Sequence, residues 1–140
     1  ALAVRHDEAF RRLVLKSMLR GEESPEVAAL VDKAYTSYTK RVQRGRALAH
    51  KAERVGAMAV IDARHCSEKV DRTEALIAAQ ERAPIAVFLG NDDRITLAAA
   101  LTSPYDFTEI FGTQGGMRNR ITLPIERLPE VLRLGERLGD

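Results

Sequence analysis

The chain has 140 residues, of which 45% are hydrophobic, and a formal net charge of +2, so it can form one domain with a core, or one domain with an attached helical piece. A single cysteine, Cys66, excludes an internal disulfide framework and a cysteine-based zinc site. The longest apolar runs, such as residues 85–89, are too short to cross a bilayer, and no segment has the pattern of a signal peptide. We therefore expect a cytoplasmic protein with no membrane partner. Because the chain begins with Ala1 and its first methionine is Met18, we interpret it as a piece of a longer protein.

The first part of the chain is predicted to be helical. Residues 7–20 place apolar side chains at helical spacing. Ser24 and Pro25 form a helix start signal, a hydroxyl cap followed by proline at the first helical position. The apolar pattern predicts that this helix extends to about Arg54, with Gly45 as a weak point that costs roughly 1 kcal/mol relative to alanine.

Beyond Gly56 the pattern changes to short apolar runs that alternate with helical segments. Because Gly90 to Asp93 form a strong turn signal, the runs on either side of them are predicted to form an antiparallel hairpin. The predicted elements are strands over residues 57–61, 85–89, 95–101 and 119–123 and helices over residues 71–82, 106–111 and 128–138. The expected fold class is α/β, a small mixed sheet with flanking helices preceded by a long helical arm. The expected domains are residues 1–55 and residues 56–140.

Basic residues cluster at the end of the predicted arm. Between Lys40 and Arg54 there are six lysines or arginines and one acid. A local basic patch of this kind is typical of surfaces that contact phosphates, whereas a solvated helix face is the simpler alternative. The candidate contacts on this helix face are Arg41, Arg44, Lys51 and Arg54.

The segment between the predicted helix 106–111 and the last strand contains the strongest candidate site. Gly115 and Gly116 would let main-chain N–H groups approach an anion. Arg118 and Arg120 can present forked donors to phosphate oxygens. Asn119 completes this candidate set, although it would point to the opposite face if the strand has already begun. A simple turn remains the alternative for the glycine pair.

Three stretches of the sequence resemble a known family. They are Pro84–Gly90 followed by Asp93–Leu97, Tyr105–Gly112, and Gly115–Arg120. In this order they resemble the central hairpin, the short helix and the glycine-rich loop of the DHH-associated C-terminal domain of the DHH phosphoesterases, which include RecJ-like exonucleases and oligoribonucleotide phosphatases. The helical arm resembles the linker helix that joins this domain to the catalytic half.

The resemblance has two departures and one further implication. Met117 stands where the family usually has a histidine, and Ala98 to Ala100 stand where many members have an arginine and a serine that touch substrate. The metal-binding carboxylates and paired histidines of the family belong to the other half of the protein. The resemblance therefore implies no catalytic residue, metal site or cofactor in this chain, with manganese or magnesium expected only in a catalytic domain of the parent.

Other potentially reactive residues have simpler interpretations. His65 and Cys66 are adjacent on a predicted extended segment, where neighbouring side chains point in opposite directions, so they are poorly placed to exchange a proton. Asp92, Asp93 and Asp106 are best explained by turn formation and helix capping.

Three functions remain open. The first is an accessory domain of a RecJ-like protein in DNA repair or replication that binds the phosphate backbone of a single-stranded nucleic acid, or a nucleotide. The second is a catalytically inactive RecJ-derived module that binds a replication protein. The third is the substrate clamp of a metal-dependent exonuclease or small-nucleotide phosphatase. The fragment itself is not expected to be an enzyme. Whether its parent is a DHH-family phosphoesterase is left open, as are DNA or RNA preference, strand polarity and oligomeric state.

Overall fold

The computed structural model describes residues 25–112 and 116–139 and contains a five-stranded mixed sheet with helices on both faces. The predicted α/β fold class is confirmed. The chain forms two compact units, residues 1–41 and residues 42–140, while its assignment to domains 1–55 and 56–140 stays a prediction. The helix predicted over residues 7–20 lies outside the described residues.

The elements follow one another with short connections. The helices are α1 (Pro25–His50), α2 (Arg72–Gln80), α3 (Phe107–Phe111) and α4 (Leu128–Leu138), and a 3₁₀ turn (Ile125–Arg127) precedes α4. The strands are β1 (Glu53–Val55), β2 (Met58–Asp62), β3 (Ile85–Leu89), β4 (Arg94–Ala99) and β5 (Arg120–Pro124). They lie in the order β1-β2-β3-β4-β5; β2 and β3 are parallel and the other neighbours are antiparallel.

The centre of the sheet follows from its apolar runs. Every residue of β3 is buried, as expected for a central strand that is covered on both faces. α2 connects β2 to β3 as the crossover that parallel neighbours require. The β3–β4 hairpin is confirmed, and its turn includes Asp93 with a φ of 60°, a conformation that aspartate tolerates better than most residues.

α1 ends earlier than the sequence predicts. The helix is continuous through Gly45, where a Cβ would lie 2.8 Å from the Asp71 carbonyl oxygen, so the glycine permits a close approach to α2. Its last turn stops at His50 and not at Arg54. Arg82 donates from Nη1 to the carbonyl oxygens of Ala49 and His50, which belong to the last turn of the helix and lack partners within it; the Ala49 oxygen also accepts from the Ala52 N–H at 3.2 Å. The earlier end therefore depends on a residue distant in sequence.

The strand β1 was not predicted. Its three residues pair with β2 through a two-residue turn formed by Gly56 and Ala57. Gly56 has a φ of +56°, which suits the first position of a type II′ hairpin turn. A Cβ at Gly56 would also overlap the carbonyl oxygen of Gly135 on α4. Gly56, which the sequence interpretation placed at the start of a domain, is therefore the corner of an edge hairpin.

The two faces of the sheet have different cores. On one face α3 and α4 cover large apolar side chains, including the fully buried Phe107. On the other face the end of α1 together with α2 covers a layer built mainly from alanines, with Phe88 at its edge. Within residues 25–112 and 116–139, no helix combines the length and hydropathy that a bilayer-spanning segment needs.

Candidate functional site

The chain enters β5 through a tight turn at residues 117–120. The Met117 N–H donates to the Arg120 carbonyl oxygen at 2.7 Å, and the Arg120 N–H donates back to the Met117 carbonyl oxygen at 3.1 Å. A Cβ at Gly116 would lie 2.8 Å from the Arg120 carbonyl oxygen and 3.0 Å from Ile121 Cα. The close approach of the turn to β5 is therefore sufficient reason for glycine at position 116. Gly115 lies outside the described residues.

Arg118 and Asn119 occupy the two central positions of this turn. The Arg118 carbonyl oxygen accepts from the Phe107 N–H at 2.8 Å, which ties the turn to the start of α3. Its side chain is 52% exposed, and Nε lies 4.0 Å from Asp106 Oδ2, the outer limit of an ion pair. Asn119 extends the ladder to Ala99: its carbonyl oxygen accepts from the Ala99 N–H at 2.9 Å, and its Nδ2 donates to the Ala99 carbonyl oxygen at 3.3 Å. Asn119 thus has a structural role in the turn, while most of the Arg118 donors have no acceptor among residues 25–112 and 116–139.

The partner of Arg118 is already engaged as a helix cap. Asp106 Oδ1 accepts from the Thr108 N–H at 3.1 Å, the Glu109 N–H at 3.3 Å and the Thr108 hydroxyl at 2.6 Å, which confirms the predicted capping role. The Thr108 hydroxyl holds the pKa of the Asp106 carboxyl below its usual value, with smaller contributions from the two N–H groups and from Arg118. Asp106 therefore anchors α3, and its pairing with Arg118 is secondary.

Arg120 is the first residue of β5 and pairs directly with Ala98. Ile121 and Leu123 point into the core beneath α3 and α4, so Arg120 lies on the opposite face of the sheet, as Thr96 and Ala98 do. Its side chain is half-buried, and among the described residues it has no ion-pair or hydrogen-bond partner. Arg118 lies in the turn, whereas Arg120 lies in β5. Their predicted convergence on one anion stays a prediction.

The second predicted set does not form a single helix face. Arg41 and Arg44 lie on α1, whereas Lys51 follows the end of the helix and Arg54 lies in β1. Arg44 Nε pairs with a Glu68 carboxylate oxygen at 2.8 Å. Arg54 donates to two main-chain carbonyl oxygens, those of Gly56 and Arg82, both at 2.7 Å. The helical placement of Lys51 and Arg54 was wrong because α1 ends at His50. Within the described part of the chain, Arg44 and Arg54 have internal partners.

A cluster around Arg72 was missed by the sequence interpretation. Arg72 is the first residue of α2, and its guanidinium lies 4.9 Å from the centre of the Phe88 ring. Nη1 donates to Thr96 Oγ1 at 3.1 Å, and Nη2 donates to both carboxylate oxygens of Asp92 at 3.1 Å. Gly90 leaves room for this arrangement, because a Cβ there would lie 2.5 Å from Arg72 Nη2. These partners are 20 and 24 residues away in sequence, so no local pattern indicates the cluster.

Residues 62–66 contain an ion pair and a cysteine whose main-chain N–H and carbonyl groups are both hydrogen-bonded. Arg64 donates to Asp62 at 2.9 and 2.7 Å, and this hydrogen bonding lowers the pKa of the Asp62 carboxyl. The half-buried Cys66 has its N–H bonded to Ala63 and its carbonyl oxygen bonded to Asn91. In the part of the chain that the structure describes, no group of three or more His, Cys, Asp or Glu side chains could hold a metal ion.

Comparisons with known proteins connect this fold to a phosphodiesterase. No protein-family model matches the sequence, and no curated protein matches it. Among solved structures, the fold is similar to a pGpG-specific phosphodiesterase, PggH, from Vibrio cholerae, with a TM-score of 0.55 and 14% sequence identity. The match covers 74% of this chain and 40% of that one. The chain therefore shares a fold with part of a longer phosphodiesterase.

Proposed function

We propose that this chain is a phosphate-binding accessory domain of a DHH-type, RecJ-like phosphoesterase, which holds the backbone of a single-stranded nucleic acid or of a short nucleotide. The observation that carries the proposal is the pair of arginines at the start of β5. Arg118 is 52% exposed with only a 4.0 Å contact to a carboxylate, and Arg120 has no partner among the described residues. Arginine donors left open in this way suit the forked binding of phosphate oxygens.

Other arginines of the compact unit are used differently. Arg44, Arg64 and Arg127 form ion pairs at 2.7–2.8 Å, and Arg54 and Arg82 donate to main-chain carbonyl oxygens. Such internal contacts stabilise the fold and leave fewer donors for a ligand. Arg94, Arg133 and Arg137 also lack such contacts among the described residues, so Arg118 and Arg120 are set apart by their position next to one another at the start of β5.

The register between β4 and β5 adds a second argument. The family that the sequence resembles often has an arginine where β4 of this chain has its alanine run. Arg120 pairs directly with Ala98, and directly paired side chains of neighbouring strands lie on the same face about 5 Å apart. Arg120 on β5 thus offers a positive charge close to the position where the family has its arginine on β4. This supports a diverged phosphate site at this edge of the sheet.

The structural neighbour supports the ligand class. Its name describes a phosphodiesterase specific for pGpG, and this chain matches 40% of its length. A domain that serves such an enzyme would hold phosphate groups and would not cleave them itself. Under this version of the proposal the parent is an active, metal-dependent exonuclease or small-nucleotide phosphatase, and the present chain is its substrate clamp.

A second candidate is a catalytically inactive module that binds a protein of a replication complex. It is favoured by two exposed apolar side chains near the β5 turn, Leu101 at 78% and Met117 at 61% exposure. Met117 stands where the resemblance leads us to expect a histidine, which also suggests a site that has lost its former chemistry. A partner protein retained at high salt, and released by Leu101→Ser with Met117→Ser, would favour this candidate over phosphate binding.

The direct test of the proposal is a binding titration of the 140-residue chain with a fluorescein-labelled 20-mer of thymidylate at low salt. A hydrogen bond to a charged group contributes about 1.5 kcal/mol or more, so Arg118→Ala with Arg120→Ala should weaken binding by at least about tenfold. The matched control is Arg133→Ala with Arg137→Ala, which removes two exposed arginines from α4. Equal losses of affinity in the two double variants would mean that only the net charge of the chain matters. If the unmodified chain does not bind the 20-mer, the proposal is refuted.

A further inference from the structure

The Arg72 cluster lies beside the proposed phosphate site, on the same face of the sheet. Arg94, Thr96 and Ala98 alternate along one face of β4, because their neighbours Ile95 and Leu97 belong to the opposite core. The Arg72 guanidinium is bonded to Thr96 on this face. The clustered arginine and the β5 edge therefore share one surface.

The register gives the spacing of this surface. Thr96 and Ala98 are two residues apart on one strand and so about 6.7 Å from each other. Across the strands, Thr122 pairs with Thr96, and Arg120 pairs with Ala98. Directly paired side chains are about 5 Å apart, so Arg120 lies opposite Ala98 and diagonal to Thr96, the residue that the Arg72 guanidinium contacts.

The surface is only partly covered. α2 packs mainly on β2 and β3 and makes fewer contacts with β4. Thr122 is exposed and Arg120 is half-buried. On this face Thr96 and Ala98 of β4 are buried, so the β5 edge with Thr122 and Arg120 is the part that is open to a phosphate group.

Several contacts hold the Arg72 guanidinium in place, but they do not use all of its N–H donors. Phe88 lies under it, Gly90 makes room for it, and its partners are Thr96 and Asp92. All these bonds use the terminal nitrogens, and among the described residues Nε donates to no acceptor. A guanidinium has five N–H donors. With 29% of the Arg72 side chain and 46% of the Asp92 side chain exposed, the ion pair is accessible to an anion in solution.

We propose that Arg72 is a third phosphate-binding arginine, which acts with Arg120 across Ala98, and that Asp92 competes with the ligand's phosphate for the Arg72 guanidinium. This inference rests on the proposed function, since it extends the same site by one residue and adds an internal competitor. The pair Arg72–Asp92 would otherwise be a structural link between the start of α2 and the β3–β4 turn. The two roles predict different effects when the carboxylate is neutralised.

The experiment compares Arg72→Gln and Asp92→Asn in the titration with the labelled thymidylate 20-mer. Arg72→Gln should weaken binding by about threefold or more, and Asp92→Asn should tighten it by about threefold or more. Both figures correspond to a unit charge removed about 6 Å from a phosphate in a water-like dielectric. Both variants break the same ion pair, so both should lower the melting temperature. Their effects on binding affinity should instead have opposite signs.

Asp93→Asn is the matched control for Asp92→Asn. Asp93 is exposed and adjacent to Asp92, its side chain makes no contact with Arg72, and its positive φ is one that asparagine adopts readily. The inference is overturned if Arg72→Gln and Asp92→Asn both leave binding unchanged, if both weaken it, or if Asp93→Asn tightens it as much as Asp92→Asn does. In each case a loss of binding in the Arg118→Ala, Arg120→Ala variant would leave the proposed function standing. A wild-type chain that does not bind the 20-mer would overturn both.

Discussion

Replacing Gly116 by alanine tests whether this glycine serves packing at the start of β5. A Cβ would lie 2.8 Å from the Arg120 carbonyl oxygen and 3.0 Å from Ile121 Cα. Both are backbone atoms that cannot rotate away, so β5 must shift or the Met117–Arg120 bridge must open. Overpacking of this kind costs roughly 1–3 kcal/mol. Where space is available, a glycine-to-alanine change instead stabilises by about 0.4–1 kcal/mol, so the sign of the change is itself informative.

The assay is urea unfolding followed by circular dichroism. With a slope of about 2 kcal/mol per molar urea, the expected loss lowers the midpoint by roughly 0.5–1.5 M. Thr122→Ala, at an exposed position of β5, is the control and should stay within about 0.5 kcal/mol of the unmodified chain. A Gly116→Ala midpoint equal to or above that of the unmodified chain would refute the packing explanation. The glycine would then be explained by its predicted contact with a ligand.

Three further predictions concern the framework that positions the site. Asp71→Ala removes the bond from the Glu74 N–H to Asp71 Oδ1 at 2.9 Å, and this cap of α2 should be seen in urea unfolding as a loss of about 1 kcal/mol. Phe107→Ala empties a fully buried position and should cost about 3–5 kcal/mol in the same measurement; a loss below 1 kcal/mol would contradict the assigned core. The pKa of Asp106 is lowered from its usual 3.8, chiefly by the Thr108 hydroxyl, so its stabilising contribution is present above pH 3.8 and is lost as the pH falls through the lowered value. Thermal melts of Asp106→Asn should therefore show a weaker loss of stability on acidification below pH 4 than the unmodified chain, and parallel curves would contradict this.

Much of the fold is visible in local sequence patterns. β3 occupies the predicted residues 85–89, and α4 occupies the predicted residues 128–138. A continuous apolar run preceded by Pro84 marks β3, and apolar side chains at helical spacing mark α4. The end of α1 could not be predicted, since the Arg82 side chain that caps it comes from a different part of the chain. The strand β1 has only three residues, mostly exposed, and its pairing with β2 becomes evident only in the folded sheet.

The candidate site was also predictable only where it depends on local sequence. The turn that contains Arg118 is local, and its glycine and arginine content marks it in the sequence. The Arg72 cluster depends on contacts between the start of α2, the β3–β4 turn and β4, which the sheet register brings together. Lys51 and Arg54 were placed on a helix that ends before them, so an error in one helix boundary became an error in the predicted surface.

The salt dependence of binding tests the central claim most directly. Each phosphate that is neutralised on a single strand contributes about 0.7 to the slope of log K against log salt. If Arg118 and Arg120 each neutralise one phosphate, their double alanine variant should show a slope smaller by about 1.4 than that of the unmodified chain. A slope unchanged by the double substitution would mean that these arginines touch no phosphate, and the account of the site would be wrong.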